Sequence, residues 1–273
     1  MKTRSVCLGG SDACSGPAGR GDLDVEVLSY LLRPVTVDGG GPKGSLAPAT
    51  RDRRKKGVDT CYLRDRDFDS EPPDDLSRPT VDGALGFRWC RHEIENYLLE
   101  PALVAQAVPS YQSTYTEALL AAGQTLRHYT AARWVMGTVR RSLPPLRELP
   151  TRPTDLSNEI KLPTDCSEAS CDAWAHELAE SFLQRITPVL GRDAISAMLT
   201  ERKQRLANLQ KPEDVLLWHS GKDLLAALGP CLPGRFANHP RVFLNELRDW
   251  VRAHPEPSLE LIAEWKALRG LLL

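Results

Sequence analysis

The first third of the chain alternates between a helical spacing of apolar residues and short runs of strand-forming residues. One helical face is made of four apolar residues, Val27, Leu28, Leu31 and Leu32. Three runs rich in β-formers predict strands, at 35–37, 58–63 and 87–90. Between the first two runs, residues 43–56 predict either a helix or a loop. Because strands alternate with helices, we expect an α/β fold with a small, mainly parallel sheet flanked by helices.

The rest of the chain has mostly helical periodicity. Helices are predicted at 115–142, 172–190, 192–209, from 221, at 242–253 and at 258–269, with one late strand at 214–219. The first twenty residues are rich in Gly, Ser and Ala and predict no regular structure. We therefore divide the chain into a disordered or atypical N-terminus (1–20), an α/β core (21–142), a proline-rich linker (143–170) and a largely helical region (171–273). The late strand, 213–219, is expected to return to the core.

Composition excludes several classes of protein. The 35 basic and 36 acidic residues give a net charge of -1, so no long-range field draws in nucleic acid. No apolar run approaches the roughly 20 residues that span a bilayer, so we expect no membrane segment. Seven cysteines without CxxC spacing indicate reduced thiols in a cytoplasmic protein. The charge is locally segregated, however, because five of the six residues from Arg51 to Lys56 are basic.

Two carboxylates follow the second predicted strand. Asp65 and Asp67 stand where α/β sheets place their ligands, and residues two apart in extended chain point the same way. Two such oxygen donors can hold one hard cation such as Mg²⁺. An EF-hand is excluded, because Ser70 and Leu76 occupy the positions of its glycine and glutamate.

A second acidic pair follows the third predicted strand. Glu93 and Glu95 would share one face of a strand but diverge on a helix, so we expect only one of them, Glu95, to join the aspartates. The zinc motif HExxH is excluded by Asn96. Lys222 follows a glycine at a predicted helix start, but Asp223 excludes a nucleotide-binding P-loop. Any ATPase activity therefore has to come from a separate protein.

Several segments in this order resemble a known family. They are 21–28, 35–40, the Asp-x-Asp at 65–67, the run Arg-His-Glu-Ile-Glu-Asn-Tyr-Leu-Leu-Glu-Pro at 91–101, and His-Ser-Gly-Lys-Asp-Leu-Leu at 219–225. Together they resemble the Toprim-type nuclease domains of the OLD (overcoming lysogenization defect) family. They also resemble the related small Toprim-like effectors that work beside bacterial AAA or ABC-type ATPases in phage defence.

The resemblance implies a metal-dependent nuclease that hydrolyses phosphodiester bonds of DNA or RNA in anti-phage defence. It implies one or two Mg²⁺ (or Mn²⁺) ions held by Asp24, Asp65, Asp67 and Glu95. The implied catalytic residues are Asp65, Asp67, Glu95 and Lys222, with Lys222 stabilising charge on the phosphate. Basic residues near this site are expected to contact the nucleic-acid backbone: Arg51, Arg53, Arg54, Lys55, Lys56, Arg64 and Arg66.

One departure from the family pattern bears on catalysis, and two alternatives to an active nuclease stay open. The family has a glutamate at the end of its first strand, and the corresponding residue before Gly21 is Arg20, with no predicted strand ahead of it. A first alternative is therefore a catalytically degenerate Toprim-like subunit that binds or regulates an AAA or ABC-type ATPase complex. A second is a helical interaction protein whose acidic loop has no catalytic role.

Overall fold

A five-stranded sheet forms the centre of the structure. The computed structural model describes residues 4–9, 22–68, 70–145 and 165–273. The strands are β1 (Arg4–Gly9), β2 (Thr36–Gly39), β3 (Asp59–Arg64), β4 (Thr80–Val81) and β5 (Gly86–Arg88). Their order in the sheet is β2-β1-β3-β5-β4. Three of the four pairings are parallel and only β4 runs antiparallel to β5, which confirms the predicted α/β class and its mainly parallel sheet.

Twelve α-helices surround and extend this sheet in the described part of the chain. In the first half they are α1 (Asp22–Leu31), α2 (Lys43–Lys55), α3 (Ile94–Leu98), α4 (Pro101–Ala107) and α5 (Gln112–Ser142). In the second half they are α6 (Glu168–Leu190), α7 (Arg192–Ala207), α8 (Pro212–Trp218), α9 (Gly221–Leu228), α10 (Pro240–Ala253), α11 (Pro255–Leu261) and α12 (Ala263–Leu272). The predicted helical C-terminal half is thus confirmed.

The main core lies between the sheet and the C-terminal helices. Helices α10 and α11 pack against α1 and α4, and this layer is filled by fully buried residues such as Phe243, Leu247 and Trp265. Helix α2 covers the other face of β1 and β3, where Leu46 packs against Cys7 and Tyr62. None of the described helices combines the length and the apolar character that crossing a bilayer would need.

The prediction that no strand precedes residue 21 is wrong for residues 4–9. They form β1, which pairs with β2 on one side and β3 on the other. Its apolar stretch, Val6 to Leu8, is too short to be recognised alone, and its order comes from the two neighbouring strands that bury it. Residues 10–20 lie outside the described part of the chain.

The late strand predicted at 213–219 is also wrong, because this segment is helix α8. The four residues from Val215 to Trp218 are all buried, and a short run of buried residues does not reveal its period in the sequence. Pro212 at the first helical turn is the signal that favours a helix. The helix predicted at 258–269 is divided in two at Ile262. Of the predicted linker 143–170, residues 146–164 lie outside the description, and α6 begins at Glu168 within it.

Candidate active site

Four carboxylates and one lysine meet at the carboxyl edge of the parallel strands. Asp65 directly follows β3, and Glu93 and Glu95 lie at the start of α3, which follows β5. Asp24 comes from the first turn of α1, and Lys222 from the first turn of α9. The charges of Asp24, Glu93 and Lys222 all act on Asp65. Side chains from four separate segments therefore form one electrostatic unit, which we call the acidic cluster.

Lys222 connects the two glutamates of the cluster. Its ammonium Nζ lies 2.6 Å from Glu93 Oε2 and 3.6 Å from Glu95 Oε1. Glu93 Oε1 also accepts hydrogen bonds from Ser220 Oγ (2.6 Å) and from the backbone N–H of Lys222 (2.9 Å). The carboxylate of Glu93 thus binds the N-terminus of α9 as well as its lysine.

The prediction that Glu95 alone joins the site is incomplete, since Glu93 is the best-bound carboxylate of the cluster. Glu93 is the residue before α3 and has an extended backbone (φ −157°, ψ 173°), so it does not diverge from Glu95 as it would within one helix. Its backbone N–H donates to Asn96 Oδ1 at 3.2 Å. The signal in the sequence was the polar Asn96 three residues after Glu93, which is the spacing of a helix cap.

The pKa values show that three of the four carboxylates favour their neutral form, first because they are buried and then because other acids lie nearby. Burial and nearby acids raise the pKa of Asp24 to about 6 and that of Glu95 to about 8. The pKa of Asp65 is raised well above its usual range by burial and by the charges of Asp24 and Glu93. Burial would also raise the pKa of Glu93, but Lys222 and its hydrogen bonds lower it below the ordinary value. One lysine therefore compensates one carboxylate, and the other three remain costly to ionise.

Carboxylate oxygens are the ligand type that a hard cation prefers, and Lys222 already lies against two of the four carboxylates. Glu95 Oε2 is buried and has no hydrogen-bond partner among the described residues, which leaves one carboxylate oxygen available for a ligand. Yet within residues 4–9, 22–68, 70–145 and 165–273 no three acidic, histidine or cysteine side chains are arranged to hold a metal ion. In this arrangement the ammonium group of Lys222 is the cation that lies against Glu93 and Glu95.

Asp67 lies apart from the cluster, contrary to the prediction that it points with Asp65. The strand ends at Arg64, and Asp67 has a left-handed backbone (φ 55°), so the alternation of an extended chain no longer applies. Its carboxylate forms an ion pair with Lys43, at the start of α2. Lys43 Nζ also donates to the backbone carbonyl of Asp65 at 3.0 Å. Lys43 is a site residue that the sequence analysis missed, because only the fold brings α2 to the end of β3.

The basic run expected to flank the site lies at the other edge of the sheet. Helix α2 starts at the carboxyl edge and returns to the start of β3, so the run 51–56 occupies its far end. Arg54 Nε donates to the carbonyl of Thr60 at 2.6 Å, which fixes this end beside the beginning of β3. Since β3 extends about 3.3 Å per residue, the Thr60 carbonyl is roughly 16 Å from Asp65 along the strand. Arg53 instead pairs with Asp38 of β2 at 2.6 Å. Arg51, Arg53, Arg54, Lys55 and Lys56 occupy the end of α2 away from Lys43, and none of them has a described contact with the acidic cluster.

Two other predicted basic residues also have structural partners. Arg66 is fully buried, donates to the carbonyl oxygens of Ser70 and Leu217, and is therefore not placed to contact a nucleic-acid backbone. Arg64 pairs with Asp82 through two hydrogen bonds, Nε–Oδ2 at 2.6 Å and Nη2–Oδ1 at 2.9 Å. Arg64 does lie at the carboxyl edge, as the last residue of β3 and directly before Asp65.

The family's first-strand glutamate has no counterpart in the described structure. Strand β1 (Arg4–Gly9) carries no acidic side chain within its described residues, and residues 10–21, which follow it, lie outside the description. Arg20, which the alignment of motifs placed at this position, lies outside the described residues. In comparisons with known proteins, no protein-family model matches the chain, and no curated protein matches it significantly.

Proposed function

We propose that the protein is a Toprim-like nuclease that hydrolyses phosphodiester bonds of DNA or RNA with Mg²⁺ (or Mn²⁺). The observation that carries the proposal is the acidic cluster at the carboxyl edge of a mainly parallel sheet, with three carboxylates whose pKa values are raised. Ligands of α/β proteins bind at this edge. A divalent cation would offset the surplus negative charge, which supports a metal as the missing component.

Asp24, Asp65, Glu93 and Glu95 would hold the cation. When bound, such an ion polarises a phosphate oxygen and lowers the pKa of a bound water. Lys222 is half-exposed at the start of α9, so its flexible side chain is able to leave Glu93 and bind a phosphate oxygen instead. In this proposal Lys222 neutralises the cluster in the free protein and stabilises negative charge on the phosphate in the complex.

The positions of the family-like segments support the Toprim-like assignment. The segments 91–101 and 219–225 are far apart in the chain but meet at Gly221, where an added Cβ would lie 2.5 Å from the backbone nitrogen of Asn96. Only glycine permits this approach of α9 to α3. The juxtaposition brings Lys222 to Glu93, as a shared active site requires. We extend the proposal to anti-phage defence and to a separate AAA or ABC-type ATPase partner on the resemblance alone.

The nuclease proposal is tested by comparing Asp65→Asn with Asp67→Asn. We expect wild-type protein to cleave plasmid DNA or RNA with Mg²⁺ or Mn²⁺ and to lose activity in EDTA. Asp65→Asn should reduce the cleavage rate by about 100-fold or more, the scale of losing a transition-state contact. Asp67→Asn removes the same charge two residues away, outside the cluster, and should retain most of the activity.

Gel electrophoresis of both substrates over time gives the rates. Circular dichroism checks that each variant is folded. Equal cleavage by wild type and Asp65→Asn would overturn the assignment of the cluster as the active site.

A catalytically degenerate subunit is the second candidate function. The specific observation in its favour is that the described residues of β1, 4–9, include no carboxylate of the kind that the family resemblance implies. In this case Lys222 would be a permanent structural cation of the cluster. Folded wild-type protein that binds nucleic acid or a partner ATPase, but cleaves neither substrate with Mg²⁺ or Mn²⁺, would favour this alternative over the nuclease.

A further inference from the structure

A small pocket lies at the opposite end of α1 from the acidic cluster. Asp24, in the first turn of α1, belongs to the cluster, and Tyr30 follows six residues later, about 9 Å along the helix axis. The pocket has a volume of about 260 Å³, slightly below the range of drug-sized ligand sites, so it suits a small chemical group. It is lined by Tyr30, Arg33, Arg252, Pro255, Glu256 and Arg269. None of these residues belongs to the cluster, so the pocket is a separate site.

Two arginines of the pocket share one aromatic ring. The guanidinium carbons of Arg33 and Arg252 both lie 5.4 Å from the centre of the Tyr30 ring, so they are no more than twice this distance apart. The ring attracts each guanidinium group but does not neutralise its charge. Within residues 4–9, 22–68, 70–145 and 165–273, neither arginine has a carboxylate as an ion-pair partner. Two like charges are therefore held close together without a counter-ion from the described chain.

The acidic residues around the pocket are matched by other arginines. Glu256 Oε1 lies 2.6 Å from Nη1 of Arg269, the third arginine of the lining. Glu26 of α1 and Asp249 of α10 are both paired with Arg248. The carboxyl ends of α1 and α10 add about half a negative charge each, which leaves roughly one positive charge uncompensated. A pocket of this charge favours an anion.

We propose that this pocket binds a phosphate group, with Arg33 and Arg252 as its main ligands. Each guanidinium presents a fork of N–H donors that can bind two oxygens of a phosphate at once. The hydroxyl of Tyr30, which has no hydrogen-bond partner among the described residues, is a further donor in the lining. A phosphate has more oxygens and more charge than a carboxylate, so it can satisfy two arginine forks where a carboxylate satisfies one.

The phosphate can be free or can belong to a larger molecule. Arg33 and Arg252 are both exposed, so the rest of such a molecule would extend into solvent while its phosphate lies in the pocket. A phosphate between them joins the end of α1 to the end of α10. The site does not depend on the proposed nuclease activity, because none of its residues holds the metal or the scissile bond.

The test compares two double variants that each remove two positive charges at exposed positions. Arg33→Gln/Arg252→Gln changes the pocket, and Arg51→Gln/Lys56→Gln changes the far end of α2. Isothermal titration calorimetry measures binding of inorganic phosphate to the full chain, at constant ionic strength and in EDTA. A hydrogen bond to a charged group contributes about tenfold or more in affinity, so losing both arginines should weaken phosphate binding about 100-fold.

The control double variant should bind phosphate as tightly as wild type, and circular dichroism checks that both variants are folded. Arg33→Lys/Arg252→Lys keeps the charge but loses the two-point contact, so it should bind between wild type and the glutamine variant. Equal weakening by the pocket and control variants, or none by the pocket variant, would overturn the site. A lysine variant that binds like wild type, or acetate that binds wild type as tightly as phosphate, would overturn the assignment to phosphate.

Titration of wild type with AMP identifies the source of the phosphate. Tighter binding of AMP than of inorganic phosphate, lost in the pocket variant, assigns the pocket to the phosphate of a nucleotide. Equal or weaker binding of AMP assigns it to free phosphate. Wild-type protein that binds neither would overturn the proposal.

Discussion

Replacing Asn96 by alanine is expected to lower the free energy of unfolding by about 3–5 kcal/mol, because this one side chain joins the two halves of the candidate site. Its Nδ2 donates to the carbonyls of Leu216 and His219, both at 2.8 Å. Its Oδ1 accepts from the backbone N–H groups of Glu93 (3.2 Å) and Gly221 (3.0 Å). Alanine would leave four backbone groups without this partner, in a place where the side chain is fully buried.

Urea denaturation followed by tryptophan fluorescence and circular dichroism measures this loss. Asn245→Ala is the matched control, since Asn245 is exposed within helix α10 and alanine is the better helix former. We expect Asn245→Ala to change the free energy of unfolding by less than about 0.7 kcal/mol, in the stabilising direction. An Asn96→Ala protein as stable as this control would show that the four hydrogen bonds do not hold α3 and α9 together.

The sequence predicts those helices and strands whose apolar residues recur with a clear helical or strand spacing. The strand at 58–63 and the helix at 115–142 have counterparts in β3 and α5, because each is long or strongly patterned. Strand β1 was missed because its three central apolar residues become a strand only between two neighbours. Helix α8 was taken for a strand because its four buried residues lack a visible period. In both cases the deciding information is the packing, which is not local in the sequence.

One part of the candidate site depends only on the direction of the parallel strands, and that part is predictable from the sequence. The carboxyl ends of parallel strands meet at one edge of the sheet. The sequence therefore predicts that Asp65 and the acidic pair after β5 lie close together. Asp67 could not be placed, because its position depends on a left-handed residue after the strand. The basic run 51–56 could not be placed because α2 runs away from the carboxyl edge, and this direction is set by the packing of the helix on the sheet. The same packing brings Lys43, at the other end of that helix, to the site.

The acidic cluster lowers the stability of the folded protein, and the fold itself does not require all of its carboxylates. Three of its four carboxylates have raised pKa values, and one carboxylate oxygen of Glu95 has no partner. Groups whose ionisation destabilises the folded state are typical of functional sites, where stability is given up for binding or chemistry. A structural salt bridge would need only Glu93 and Lys222. The surplus carboxylates therefore favour a role that involves a cation or a proton.

The same substitution at two neighbouring glutamates of the cluster is expected to change the free energy of unfolding in opposite directions. Glu93→Gln should lower the free energy of unfolding at pH 7 by about 2–4 kcal/mol, because Lys222 and Ser220 lose their charged partner. Glu95→Gln should raise it by roughly 1–3 kcal/mol, because glutamine resembles the neutral form that the folded protein favours. The two variants make the same chemical change and differ only in position.

The pH dependence separates the two effects. The pKa of Glu95 is raised to about 8, so the wild-type protein loses stability from this group as the pH rises from about 5 to 8. Glu95→Gln should remove that loss, and its advantage over wild type should grow across this range. The pKa of Glu93 is lowered, so its contribution is present at neutral pH and is lost only in acid, below the ordinary range of a glutamate. Urea denaturation of the three proteins at pH 5, 6.5 and 8 should show an advantage of Glu95→Gln that grows with pH and a deficit of Glu93→Gln that stays constant. A destabilised Glu95→Gln at pH 8 would contradict the raised pKa of Glu95.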